Sequence, residues 1–473
     1  MNTRYICRIA GTSLLILAGL MLFPLITALV YGESVLPFVL TALAAAICGG
    51  ALFSVRQISS KIYAKEGFAA VSLIWILLSV FGALPFVISG DIPNYIDALF
   101  ETVSGFTTTG ATILTDVEAM SRGCLFWRSF THWIGGLGIL VFVMAVLPLS
   151  GEHSLHIMRA EVPGPVVGKL VPRARDTARI LYIIYAVMTA VETVLLMLGG
   201  MDFFDALLHA FGTAGTGGFS TRNASIGAFD SAYIEIVIGV FLILFGINFN
   251  LYYLLLKGKI RTALKSTELY VYLAIITVSV VAIGIGAGGS HAFRDAFFTV
   301  TSIISTAGYV TVDYSVWPKY ALGIVLFLTF VGSCAGSTGG GLKVSRFILL
   351  VKDVRNDIHG MISPRRISRV RMDGKCVPDN VVTTVSSFFF LYIVIIAAVT
   401  FIVSFDGYDF LTSFSASLTC ISNVGPGLGL CGPAGNFAVF SALSKVALTL
   451  TMLMGRLEIY PVLILFGTVL RRR

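Results

Sequence analysis

Along the whole chain, apolar runs of about twenty residues, the length that crosses a bilayer as a helix, alternate with short polar or glycine-rich breaks. Runs near 9–30 and 35–54 predict an initial helical hairpin, closed by the polar stretch Arg56 to Glu66. Long helices are predicted near 67–90, 125–149, 180–200, 231–256, 269–287, 381–404 and 437–470, and a segment near 320–350 is interrupted. Within each later pair stands a shorter unit. Asp97 opens DALFETVSGFTTTG, Asp205 opens DALLHAFGTAGTGG and Asp295 opens DAFFTVTSIISTAG; each Asp lies thirteen residues before a glycine, Gly110, Gly218 or Gly308. A degenerate fourth copy, TSFSASLTCISNVG, runs from Thr412 to Gly425. A unit that recurs in this way governs how the remainder of the chain is read.

Each copy predicts a short helix capped by its Asp or Thr and broken by a Thr/Ser/Asn/Gly run into irregular backbone. Non-helical backbone at membrane depth is tolerated only where protein buries it or where it lines an aqueous cavity. Four such loops can form a ring. A ring of backbone carbonyls replaces a cation's hydration shell, and helix C-termini add negative dipole ends facing the ion. The candidate K⁺-binding residues are Thr108, Thr109 and Gly110, then Thr216, Gly217 and Gly218, then Thr306, Ala307 and Gly308, and finally Asn423, Val424 and Gly425. For one copy the bland alternative is a core or interfacial helix ending in a glycine turn; four copies in equivalent hairpins weigh against it. The loops differ in sequence (TTTG, GTGG, STAG, SNVG), so the ring is only pseudo-fourfold and modest K⁺/Na⁺ discrimination is expected.

Composition narrows the class. Of 473 residues 56% are hydrophobic and only 12% charged, against about 25% charged in soluble domains. The expectation is an all-α polytopic membrane protein with about ten crossings. A net charge of +8 could indicate nucleic acid, but its distribution points to the bilayer instead. Both termini and the inter-unit loops, placed on one side, gather 26 of the 33 Lys and Arg, which marks that side as cytoplasmic. The short helices then open outward near Glu33, Asp91, Asp116, Glu118, Asp202, Asp230, Asp313 and Asp406, an acidic rim that either concentrates cations or reflects simple charge segregation. The seven cysteines show no metal-ligand or disulfide spacing. Arg4 and Arg8 precede a long apolar run without a convincing cleavage site, as in a retained first helix. His132, His209 and the other histidines stand without paired carboxylates or a nucleophile elbow, so no enzyme is expected.

Two further features concern control of flow. Gly332 to Gly341, GSCAGSTGGG, places five glycines in ten residues where a long helix would otherwise run. Gly336, Ser337, Thr338, Gly339, Gly340 and Gly341 are the candidate gate, the alternative being a close-packing helix kink. The run is not a phosphate loop, because Leu342 separates Gly341 from Lys343, and no nucleotide is expected on this chain. Arg456, in LTMLMGRLEIYPV, is a charge costing about 2.5–3.5 kcal/mol at a helix centre. It either lines the inner cavity and opposes cation flow, or snorkels to the inner interface. Glu192 and Glu458 are the only intramembrane carboxylates read from the sequence, and coupling to H⁺ or Na⁺ would need such groups.

The filter-like sequences TTTGAT, STAGYVTVD and SNVGPGLG, with HWIGGLGI, AGSTGGGLKVSR and MGRLEIYPV, resemble the Trk/Ktr/HKT superfamily of K⁺ transporters, and the extra N-terminal hairpin resembles its Trk branch. The resemblance spans essentially the whole chain. It implies K⁺ uptake in a bacterial inner membrane by a homodimer with one pore per subunit. It also implies a cytosolic, nucleotide-binding TrkA-like regulatory ring on the basic inner face. In that family the glycine-rich loop of the third unit is the intramembrane gate, with the fourth-unit arginine beneath the filter; these fall on Gly336 to Gly341 and Arg456. Glycine at all four filter positions resembles K⁺-selective members. The implied organisation is a transmembrane hairpin at 1–60 and four pore repeats at 61–155, 156–260, 261–360 and 361–473.

Overall fold

The computed structural model describes residues 3–55, 64–138, 174–363 and 369–470. Most of the polar closure at 56–66, the second half of the helix expected to reach 149, the basic connection up to 173, Arg365 with Arg366, and the three terminal arginines lie outside the described residues. The described residues are mostly helical, as the composition predicts. Among the described residues the one sheet is a two-stranded antiparallel ribbon, Arg371–Met372 with Lys375–Cys376, inside the basic stretch read as a plain loop. Asp373 and Gly374 turn it, both with positive φ, which allows so short a hairpin.

The first hairpin packs Thr3–Leu20, continued past Met21 as Leu22–Val30, against Leu36–Phe53. The two backbones touch at Gly11 and Gly49. A Cβ on Gly49 would stand 3.0 Å from the Gly11 carbonyl oxygen, the close small-residue seam that lets helices associate without a hydrophobic driving force.

Six described helices are long and apolar enough to cross a membrane, or seven when the bent pair Ala232–Phe245 and Phe249–Leu256 counts as one span. Bare apolar side chains along them, such as Val278 at 67% and Ile285 at 74% exposure, need lipid rather than water as solvent. Among the described residues the second long helix is broken in the second, third and fourth units, which lowers the count. The sequence predicts a break only in the third. There Lys319–Val331 and Val344–Ile362 flank the glycine-rich run. In the second unit the expected helix 231–256 bends by 87° at Gly246 to Asn248. The expected final helix divides into Ala442–Arg456 and Tyr460–Leu470, with Glu458 and Ile459 at positive φ. In the first unit Arg122–Gly136 ends at Leu137 and Gly138.

The four short helices lie where the repeat places them: Tyr95–Phe106, Phe203–Gly215, Ala292–Ile304 and Phe410–Ser422. Their caps differ from the expectation. Asn94, Asp202, His291 and Asp409 hold the N-cap positions, and the repeated Asp97, Asp205, Asp295 and Thr412 stand inside the first turn. A carboxylate there still complements the N-terminal dipole, and it is free to bind elsewhere. Asp97 pairs with Lys445 of the last unit at 2.7 Å, and Asp205 pairs with Arg222 at 2.7 Å.

Candidate ion pathway

Each short helix ends in the same backbone sequence. Thr108, Thr216, Thr306 and Asn423 adopt φ of 54°, 53°, 66° and 54°, and two residues later Gly110, Gly218, Gly308 and Gly425 adopt 79°, 78°, 77° and 97°. Positive φ at glycine is without steric penalty. At Thr it costs roughly 1–2 kcal/mol, and only the polar residue shared at that position hints at it in the sequence.

The four glycines interlock in cyclic order. A Cβ on Gly110 would strike the carbonyl oxygen of Gly217, one on Gly218 that of Ala307, one on Gly308 that of Val424, and one on Gly425 would come within 2.6 Å of the Thr109 oxygen. Loop one thus abuts loop two, two abuts three, three abuts four, and four closes on one. The middle residues of TTG, TGG, TAG and NVG supply the oxygens; the glycines supply the room. Side chains brace the ring from behind. Asn423 donates to Thr109 Oγ1 at 2.9 Å and to the Met452 carbonyl at 2.9 Å, and Thr107 and Thr109 share a 2.7 Å hydroxyl contact.

Two groups that the sequence offered only as scattered residues also support these loops. Glu101, five residues before the end of helix Tyr95–Phe106, accepts from Thr112 (2.9 Å), the Ile113 N–H (3.0 Å) and Arg128 (2.6 Å). Arg128 donates to the Ser220 carbonyl at 3.1 Å and lies 3.5 Å over the Phe219 ring, which ties the first loop to the second. His132 contacts the Gly105 carbonyl through Nδ1 (2.8 Å) and accepts the Phe219 N–H through Nε2 (3.3 Å), and its ring fills the space behind Gly217. A proton on Nδ1 and a lone pair on Nε2 are what these partners require. No sequence signal separated Arg128 and His132 from ordinary helix residues.

Below the ring the helix breaks meet at the glycine-rich loop. Cys334 N–H donates to the Gly246 carbonyl (3.1 Å), Phe249 N–H to the Gly336 carbonyl (3.0 Å), and the Thr338 hydroxyl to the Phe245 carbonyl (3.2 Å). Gly340 N–H reaches Thr306 Oγ1 at 2.6 Å and Gly341 N–H the Ser422 carbonyl at 2.8 Å, so Gly336 to Gly341 lie directly against the third and fourth loops. Groups orphaned by one break are satisfied by another, as burial away from water demands. Arg456 is 8% exposed and donates to the carbonyls of Thr338 (2.7 Å), Gly135 and Gly136. Its head is engaged by backbone carbonyls of the first and third units. Lys343, used in the sequence only to reject a phosphate loop, is a second buried cation there, with Nζ on the Gly339 carbonyl.

The carboxylates need revising. Beside Glu192, the structure buries Glu66, Glu101, Asp205, Glu235 and Glu268, while Glu458 is only half-buried. Glu458 pairs with Arg346 at 2.5 Å and Glu235 with Arg294 at 3.0 Å. Glu192 lies fully buried beside Thr213 and has no ion-pair partner among the described residues. Much of the acidic rim is structural. Glu33 accepts the Arg122 and Gly123 N–H groups (2.7 and 2.9 Å), Asp91 the Ser121 hydroxyl (2.7 Å) and Asp406 the Ser441 N–H (3.0 Å). Asp116, outside the spans, is held below the usual carboxylate range by the Asn223 amide.

Helices that need lipid, a closed carbonyl ring and buried cations beneath it define a membrane cation-transport protein. Residues 37–274 and 263–471 match the family described as TrkH, cation transport protein. The chain belongs to the TrkH family. It is 38% identical to the Trk system potassium uptake protein TrkG of Escherichia coli K12 over 99% of both chains, and 35% identical to TrkH of the same organism over 98% of this chain and 99% of that one. The crystal structure of the potassium transporter TrkH from Vibrio parahaemolyticus superposes with a TM-score of 0.88, at 34% identity and 98% coverage of each chain.

Proposed function

We propose that this chain takes up K⁺ across a bacterial inner membrane through a filter formed by Thr108–Gly110, Thr216–Gly218, Thr306–Gly308 and Asn423–Gly425. The observation that carries the proposal is the closed cyclic contact of four glycines with four carbonyl-bearing loops. Each of four pseudo-equivalent repeats after the first hairpin supplies one loop. K⁺ is the ion because the relatives matched end to end are potassium uptake proteins. Gly336 to Gly341, with Arg456 and Lys343, form the gate: a loop fastened under two of the four filter loops, flanked by two buried cations, opposes ion passage both sterically and by charge. Entry driven by membrane potential releases about 2.3 kcal/mol per charge per 100 mV, so this chain needs no energy-coupling site. Both termini lie in the cytoplasm, where a nucleotide-binding ring acts on the basic face of a homodimer.

Single-channel current from purified protein in planar bilayers under a K⁺/Na⁺ gradient tests this, with wild type compared to a chain whose Gly336–Gly341 loop is shortened. K⁺-favouring currents that rise on shortening are expected. Absence of conductance, with K⁺ uptake following an imposed pH gradient, would overturn it in favour of a coupled symporter.

A further inference from the structure

The glycine-rich loop is fastened from the side as well as from above. Glu268, the second residue of helix Thr267–Gly286, is 5% exposed, and its Oε1 accepts two backbone N–H groups from opposite arms of the loop: Ala335 at 2.7 Å and Ser345 at 3.0 Å. Ser345 lies in the first turn of helix Val344–Ile362, where N–H groups have no intrahelical partner and a carboxylate meets the positive end of the dipole. Ala335 lies on the other arm, before Gly336. One oxygen therefore closes the base of the segment that holds the gate.

The same helix N-terminus is held by a surface element. Thr267 N–H, the neighbour of Glu268 in the chain, donates to Asp373 Oδ1 at 2.8 Å, and Asp373 is the turn residue of the exposed Arg371–Cys376 ribbon. Lys352, on the helix after the loop, donates from Nζ to the Arg371 carbonyl at 2.8 Å, so the ribbon bridges the two helices that Glu268 also bridges. Ribbon, helix start, Glu268 and both arms of the loop form one continuous chain of hydrogen bonds from the surface to the gate.

We propose that Glu268 is the positioning residue that latches the glycine-rich loop beneath the filter, and that the Arg371–Cys376 ribbon, resting through Asp373 on the same helix N-terminus, is the surface handle through which that latch is reached from the cytoplasm. The proposal rests on the gate assigned above. Opening the loop requires the Ala335 and Ser345 arms to separate or to swing as a unit, and either motion strains bonds to one fixed oxygen. A push on the ribbon tilts the helix start that carries this oxygen.

The test is K⁺ flux into proteoliposomes holding the full-length chain alone, read beside the K⁺/Na⁺ permeability ratio and the melting temperature. Glu268→Leu removes the acceptor and is expected to raise basal flux at least fivefold with the permeability ratio unchanged. Glu268→Gln keeps a carbonyl oxygen able to accept both bonds and is expected to return flux to within twofold of wild type. Asp373→Ala, an exposed change that leaves the core intact, is expected to raise flux in the same direction by a smaller factor. Unchanged flux in both folded Glu268→Leu and Asp373→Ala overturns the latch, as does a Glu268→Gln chain as leaky as Glu268→Leu. A changed permeability ratio would place Glu268 in the filter's support and overturn it equally. If Glu268→Leu does not fold, Asp373→Ala decides. A loop-shortened chain measured alongside separates the two levels: no gain on shortening refutes the gate, whereas gain on shortening without gain in the latch variants refutes only the latch.

Discussion

Replacing Gly110 by alanine adds one methyl group, and the ring geometry fixes what that methyl meets. At φ 79° an alanine pays roughly 1–2 kcal/mol in backbone strain. Its Cβ would also overlap the Gly217 carbonyl oxygen, a backbone atom unable to rotate away. Relief requires the second loop to shift, an overpacking cost of roughly 1–3 kcal/mol. The total of roughly 2–5 kcal/mol lies at or below the 5–15 kcal/mol of an ordinary fold, so the protein is expected to fold while the oxygen meant for the ion moves. If that energy appears in the barrier to ion transfer, at 1.36 kcal/mol per decade, K⁺ flux falls roughly 30-fold to several-thousandfold. Gly218→Ala and Gly308→Ala meet the same overlap, with the carbonyls of Ala307 and Val424. Gly425→Ala approaches the Thr109 oxygen less closely, at 2.6 Å, and is expected to be the mildest of the four. Rubidium uptake into proteoliposomes, normalised to folded protein by size-exclusion chromatography, gives the ranking. Wild-type flux from a folded Gly110→Ala chain would refute the carbonyl ring as the ion path.

Arg456→Gln keeps an amide to donate to the neighbouring carbonyls but removes the charge, whose repulsion of a cation is about 4 kcal/mol at 4 Å and an effective dielectric of 20; basal K⁺ current is expected to rise, and an unchanged current would remove electrostatics from the gate. Arg128→Met leaves Glu101 buried without its cation, at a cost of roughly 3–5 kcal/mol; a clear fall in melting temperature is expected, and an unchanged one would show that Thr112 and Ile113 suffice to hold Glu101. Glu192→Gln is expected to leave K⁺ flux indifferent to an imposed pH gradient, as in wild type; a pH-driven flux that this substitution abolishes would establish coupling. Lys445→Met unties the first short helix from the last unit at the 2.7 Å Asp97 pair and is expected to lower thermal stability with little effect on permeability ratio, read from melting and bi-ionic reversal potentials.

The sequence alone determined the membrane class, the four recurrences of one short unit, the glycine that ends each copy and the break after Val331. These are local properties. Hydrophobic length, a recurring thirteen-residue spacing and glycine density are each visible in one stretch of chain, and each has a direct backbone consequence. The repeated Asp was legible as a helix-start residue, but its place within the turn depended on which neighbour took the cap, Asn94 or Asp202 or Asp409, a competition that only the folded backbone settles. The tertiary structure decided what meets what. The break at Gly246 to Asn248 is where the glycine-rich loop finds backbone partners, at the Phe245 and Gly246 carbonyls and the Phe249 N–H, and nothing in AYIEIVIGVFLILFGINFN announces a partner ninety residues away. Arg128, His132, Lys343 and Glu268 took their partners in the same way. A buried polar side chain takes its role from the groups that satisfy it, and those groups come from other units of the chain.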